Sequence, residues 1–186
     1  MSDIAERFIV LTGGPGSGKS TLLDALQQLG YARSLEAGRS IIQDQVAIGG
    51  RALPWDDRAL FAEMTLCWEM RSYHLAQQQS GLVFFDRGIP DVLGYLRLLG
   101  LQAPEHMRKA ADSFRYHHRV FIAPPWPEIF QQDRERKQDF DEAIRTYDAL
   151  VATYIALGYD LVEIPRASVD ERARFLLASI NPSTPA

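Results

Sequence analysis

Short apolar runs alternate with longer stretches of helical period along most of the chain. Residues 7–12, Arg-Phe-Ile-Val-Leu-Thr, are apolar and β-branched, end in glycines, and predict a buried parallel strand. Leu22, Ala25, Leu26 and Leu29 then recur at helical spacing, and Gly30 stands where a left-handed residue closes a helix. A weaker strand is predicted over 31–36 and a short helix over 39–46, ahead of Gly49 and Gly50. Asp56 is placed to cap a long helix whose apolar stripe runs Leu60, Met64, Cys67, Trp68, the stem of Arg71 and Leu75. Residues 82–85, Leu-Val-Phe-Phe, predict the next buried strand, and Pro90 suits the first turn of the helix after it. A helix around 104–116 leads to a strand over 119–123, which Pro124, Pro125 and Pro127 stop. The following long helix carries Phe140, Ala143, Ile144, Tyr147, Leu150, Val151, Tyr154 and Ile155 on one broad face. A last strand is predicted over 159–164, and Ser168 with Glu171 three residues later forms a capping box for a final helix reaching Ala178. Strands alternating with helices define an α/β fold, a parallel sheet covered by helices on both faces.

Composition narrows the partners. A chain of 186 residues with 46% hydrophobic content suits a single domain, expected over 1–180, with 181–186 as a flexible polar tail. A net charge of −4 offers no basic footprint for a nucleic-acid backbone. Cys67 is the only cysteine, so an intramolecular disulfide or a cysteine-rich metal cluster is excluded, which fits the cytoplasm. The first apolar run is too short for an export signal or a membrane helix, so a cytoplasmic protein without a membrane partner is expected. His74, His106, His117 and His118 show no metal-ligand spacing.

The chemistry centres on Gly13, Gly14, Pro15, Gly16, Ser17, Gly18, Lys19 and Ser20, a complete G-x-x-x-x-G-K-[ST] motif between a predicted strand and a predicted helix. Glycines let successive backbone N–H groups curve around a phosphate, and the helix N-terminus adds positive potential. Lys19 would reach the β- and γ-phosphates of ATP, Ser20 would supply a hydroxyl oxygen to Mg²⁺, and Thr21 would help hold the α-phosphate. Asp86 ends an apolar strand and so belongs on the same rim. It would either hold Mg²⁺ through a water or accept the proton of an attacking hydroxyl, with helix capping or pairing to Arg87 as the structural alternative. Arg87 would contact an acidic substrate group or form an ion pair. Glu36 and Arg39, at a strand end and helix start, are candidates for holding the acceptor. Arg134, Arg136 and Lys137 form a basic cluster that would close over the triphosphate as a lid, or lie on a solvated helix face. Arg134 and Arg136 are not separable as catalytic candidates.

Together with residues 36–39 (Glu-Ala-Gly-Arg), 85–88 (Phe-Asp-Arg-Gly) and 133–137 leading into Thr146 and Tyr147, the motif resembles the P-loop kinase superfamily. It is most similar to the bacterial family of AAA-domain predicted ATPases related to the ribosylnicotinamide kinase domain. The resemblance implies a three-layer P-loop NTPase fold, a five-stranded parallel sheet in the order 2-3-1-4-5, and a lid after the fourth strand. By the same likeness to thymidylate and deoxynucleoside kinases, Asp86 and Arg87 face the acceptor, Arg134 and Arg136 belong to the lid, and the loop with Pro165 and Arg166 approaches the adenine. The expected activity is Mg²⁺-dependent transfer of the ATP γ-phosphoryl group to an unidentified small, nucleoside- or nucleotide-like acceptor by a monomer or homodimer. A regulatory ATPase acting on a protein partner is the alternative.

Overall fold

The computed structural model describes residues 4–130 and 139–180. The expected tail over 181–186 and the lid candidates Arg134, Arg136 and Lys137 lie outside the described residues. Five parallel strands, β1 (Phe8–Gly13), β2 (Ala32–Arg33), β3 (Val83–Asp86), β4 (Arg119–Ala123) and β5 (Asp160–Glu163), form one sheet in the order β2-β3-β1-β4-β5. Seven α-helices connect or follow them: α1 (Lys19–Gln28), α2 (Ala37–Ile48), α3 (Arg58–Ala76), α4 (Ile89–Leu98), α5 (Glu105–Ser113), α6 (Phe140–Ala156) and α7 (Val169–Ile180).

Alternation along the central strands divides the core. Phe8 and Val10 of β1 with Phe85 of β3 pack beneath α3, α4 and α6, while Ile9, Leu11 and Phe84 pack against α1 and α7. Both faces of β1 are buried along its whole length, which explains why its sequence is continuously apolar instead of alternating. A third cluster, Ala37, Ile41, Ile42, Leu53 and Phe61, joins α2 to α3. Among the described residues no helix is long and apolar enough to cross a membrane.

The structure corrects the sequence reading at three places. The strand expected over 31–36 shrinks to Ala32–Arg33, because β2 is an edge strand paired only with β3. In α3 the buried stripe is Phe61, Ala62, Leu66, Glu69, Tyr73 and Ala76, whereas Leu60, Cys67 and Leu75 of the expected stripe are exposed. The helix has apolar residues on every side, so period alone could not choose its inner face. Its N-cap is Asp57, whose side chain accepts from the Leu60 N–H at 3.0 Å, while Asp56 pairs with Arg51 at 3.5 Å. Asp57→Ala is expected to lower unfolding free energy by about 1 kcal/mol, and Asp56→Ala by less than about 0.5 kcal/mol, in urea titration.

The other punctuation follows the chemistry read from the sequence. Pro90 sits in the first turn of α4, and Ser168 and Glu171 form their reciprocal cap, with the Ser168 N–H donating to Glu171 at 3.0 Å. Asp139 caps α6 by accepting from the Glu142 N–H at 2.7 Å.

Candidate active site

The glycine loop leaves the C-terminal end of β1 and enters α1 directly. Gly13 has φ 135°, and a Cβ there would come within 2.5 Å of the Ala123 carbonyl oxygen on β4. Gly14 is constrained from the other side, since its Cβ would meet the Ala143 carbonyl oxygen of α6 at 2.6 Å. The loop is therefore shaped by its neighbours before any ligand arrives. Ser17 donates its hydroxyl to the Gly14 carbonyl at 2.8 Å. Lys19 is only 8% exposed, and its Nζ donates to the carbonyls of Gly13 at 3.3 Å and Gly14 at 3.2 Å. Ser20 and Thr21, in the first turn of α1, are exposed at the same rim.

Asp86 stands opposite Leu11 in the β1–β3 register, two residues upstream of the loop, and is buried. Its N–H donates to the Ser34 hydroxyl at 3.1 Å. The next residue, Arg87, has φ 73°, the only positive φ at a non-glycine among the described residues. Its N–H donates to the Leu11 carbonyl at 3.0 Å, so the turn after β3 is tied to β1 just before the loop. The Arg87 guanidinium lies 3.1 Å from Asp91 and 3.6 Å from Glu36, and Glu36 lies 4.0 Å from Arg39. The fold thus brings the candidates Glu36, Arg39 and Arg87 together, with Asp86 adjacent in sequence. Burial lowers the Arg87 pKa, but Asp91, Glu36 and Asp86 outweigh it and leave the cation above its ordinary value.

Two residues of this network carry no motif in the sequence. Asp91, in the first turn of α4, accepts from Thr12 at 2.5 Å, Tyr154 at 2.6 Å, the Gly88 N–H at 3.0 Å and Arg87 at 3.1 Å. It links β1, the turn after β3 and α6 through one carboxylate. The available signal was an acid three residues into a proline-started helix, which by itself reads as a capping device. Glu69, in the middle of α3, is 1% exposed, and nothing in the sequence separates it from a solvated helix glutamate.

Burial, then the Asp91 and Asp86 carboxylates, raise the Glu69 pKa well above its ordinary value, against the opposing pull of Arg87; Glu36 adds to the rise. A carboxyl whose folded pKa is raised costs no charge-burial energy below the unfolded pKa and an increasing amount as pH climbs toward the folded one. Glu69→Gln removes that cost. The variant is expected to gain on wild type as pH rises from 5 to 8, by on the order of 1 kcal/mol at the upper end, read as the difference in thermal midpoints.

A cavity of about 350 Å³ opens between α2, α3, α4 and α6 and touches the loop at Pro15. Ile42, Phe61, Val92 and Tyr95 give it apolar walls, while Glu36, Glu69, Arg87 and Asp91 give it polar ones. Asp86 is not among the residues lining it. On the other rim of the sheet, Glu6, His117 and His118 bring one ligand-type atom each within 4.8 Å of one another, a grouping their spacing did not show.

A family model for the AAA domain matches residues 8–172. The chain belongs to this AAA-domain family. Solved structures similar to the AAA-domain chain include thymidylate kinase from Ehrlichia chaffeensis, 14% identical at a TM-score of 0.64 over 94% of this chain and 98% of that one. They also include deoxyadenosine kinase from M. mycoides, 14% identical at 0.61 over 94% and 98%. The NadR protein in complex with NR is 16% identical at 0.70, over 97% of this AAA-domain chain and 51% of that one. None of the curated proteins matches in sequence. At these identities the likeness establishes the fold, that of the P-loop kinases, with its sheet order as expected.

Proposed function

We propose that this protein is a P-loop kinase that transfers the γ-phosphoryl group of ATP to a hydroxyl of a small, nucleoside-like molecule. The observation that carries this reading is the cavity of about 350 Å³ that touches the glycine loop and is lined by carboxylates and a guanidinium. It lies within the 300–1,000 Å³ range of about one small ligand, beside the loop that suits its phosphate donor. The donor set fits ATP with Mg²⁺: a buried lysine beside the loop, an exposed hydroxyl on Ser20, and the Asp86 carboxylate at the end of β3. When bound, Mg²⁺ supplies charge neutralisation to the phosphates.

In this reading Gly13, Gly14, Pro15, Gly16, Ser17, Gly18 and Thr21 would hold the triphosphate, Lys19 would spread the charge developing on the transferred group, and Ser20 and Asp86 would hold the metal. Glu36, which lines the cavity where Asp86 does not, orients the acceptor hydroxyl and takes its proton. The acceptor oxygen bonds to the γ-phosphorus as its bond to the β,γ-bridging oxygen breaks, and ADP leaves. Arg87 and Arg39 position Glu36. Arg134 and Arg136 would complete the site from outside the described residues, with neither favoured.

The test is release of ADP and of free phosphate from ATP and Mg²⁺, with and without pooled nucleosides, nucleotides, sugars and vitamins. ADP formation that rises with one pool without matching free phosphate is expected. Equal release of both, indifferent to every pool, points instead to hydrolysis by a regulatory ATPase.

A further inference from the structure

The Oε2 of Glu69 is fully buried and has no hydrogen-bond partner among the described residues. Glu69 lines the cavity from α3, a helix whose other buried residues are apolar or aromatic. On α4, lining the same cavity, the buried hydroxyl of Tyr95 is also without a partner among the described residues. The Tyr95 ring meets Phe61 edge to face, with centroids 5.5 Å apart at 72°. Buried polar groups are almost always hydrogen-bonded, and one left unmade costs about 1–3 kcal/mol. Two of them on one aromatic-walled cavity mark a place where a ligand supplies the missing partners.

Charge selects the ligand. Four carboxyl groups line the cavity, those of Glu36, Glu69, Asp91 and Glu142, against the guanidiniums of Arg58 and Arg87. Arg87 is already held by Asp91 and Glu36, and Arg58 donates to the Pro54 carbonyl at 3.1 Å. A phosphate dianion placed here would meet more acid than base, with Arg87 already paired to two carboxylates and Arg58 the remaining guanidinium on the lining. A neutral or cationic planar molecule meets aromatic edges and hydrogen-bonding groups.

We infer that the cavity takes a nucleoside without a phosphate, and that Glu69 is the specificity-determining residue, hydrogen-bonding the polar edge of the ring. This inference rests on the kinase reading for the use made of the site. Its own content concerns binding. Rotation about the terminal carboxyl bond, a soft two-fold torsion, presents either Glu69 oxygen to the cavity. The raised pKa of Glu69 lets the carboxyl donate as well as accept, and burial pushes Tyr95 up to about 12, so it remains a phenol. Phe61 and Tyr95, packed on each other, give the ring one aromatic wall.

The inference is tested by isothermal titration of the full chain, with Mg²⁺ and a non-hydrolysable ATP analogue present. The probes are the common ribo- and deoxyribonucleosides, a pyridinium nucleoside, and the 5′-monophosphate of each. At least one nucleoside is expected to bind at least ten-fold more tightly than its monophosphate. Glu69→Leu is expected to weaken that nucleoside about ten-fold while its thermal midpoint stays level or rises, and Glu69→Gln to bind within about three-fold of wild type. Three results overturn the inference: no nucleoside binds, monophosphates bind as tightly or more tightly, or Glu69→Leu binds as wild type does. The kinase reading fails separately. Nucleoside binding without ADP formation would end that reading and leave the binding inference standing, whereas ADP formation with monophosphates alone would do the reverse.

Discussion

Lys19→Ala is expected to reduce ATP-dependent phosphorylation of the acceptor by about 10²–10³-fold, the loss typical of removing one preorganised group that meets charge developing in the transition state. The lysine is placed for this in advance. Its ammonium hangs over the Gly13 and Gly14 carbonyls at 3.3 and 3.2 Å, with its stem almost wholly covered, so little side-chain order remains to be lost when a triphosphate arrives. Stability should move little, by less than about 1 kcal/mol, because the hydrogen bonds lost are offset by no longer burying a cation. A steady-state assay beside a urea titration separates the effects. Lost turnover at unchanged stability is the expected pair, and undiminished turnover would remove Lys19 from the chemistry.

Asp91→Ala is expected to cost about 3–5 kcal/mol, the range for stripping one partner from a buried charged network. Four donors lose their acceptor together: the hydroxyls of Thr12 and Tyr154, the N–H of Gly88 and the guanidinium of Arg87. Tyr154 is fully buried and cannot turn to water. For a chain of this size the thermal midpoint should fall by roughly 6–20 °C. Asp91→Asn keeps the shape and one acceptor oxygen but loses the charge facing Arg87, so it should fall between wild type and alanine. A change in midpoint under about 2 °C for alanine would show that the network relaxes around the gap.

These expectations depend on residues of very different legibility. The glycine loop could be read directly because its demands are local: a strand, a run without side chains, a lysine, then a helix. β4 and the caps of α4 and α7 were equally plain, since proline and the Ser168–Glu171 pair act within one turn. The inner face of α3 was not, because Leu60 and Leu75 are as apolar as Phe61 and Leu66, and only packing against β3 and α4 decides between them. Asp91 and Glu69 were hidden for a related reason. Their surroundings come from β1, α3, α4 and α6, so no stretch of sequence contains the partners that bury them. Glu36, Arg39 and Arg87 did converge, each standing at a strand end or helix start on the rim where the sequence placed them.

The contact between Gly14 and Ala143 sets a condition on how such a protein can diverge. The atoms a Cβ at position 14 would meet are all α6 backbone, so no exchange of side chains in that helix can make room, and the loop keeps its glycine for as long as the helix lies there. The phosphate loop is usually treated as a portable module. Here a graft of residues 13–20 that brought any side chain to position 14 would have to displace the backbone of α6 at Ala143.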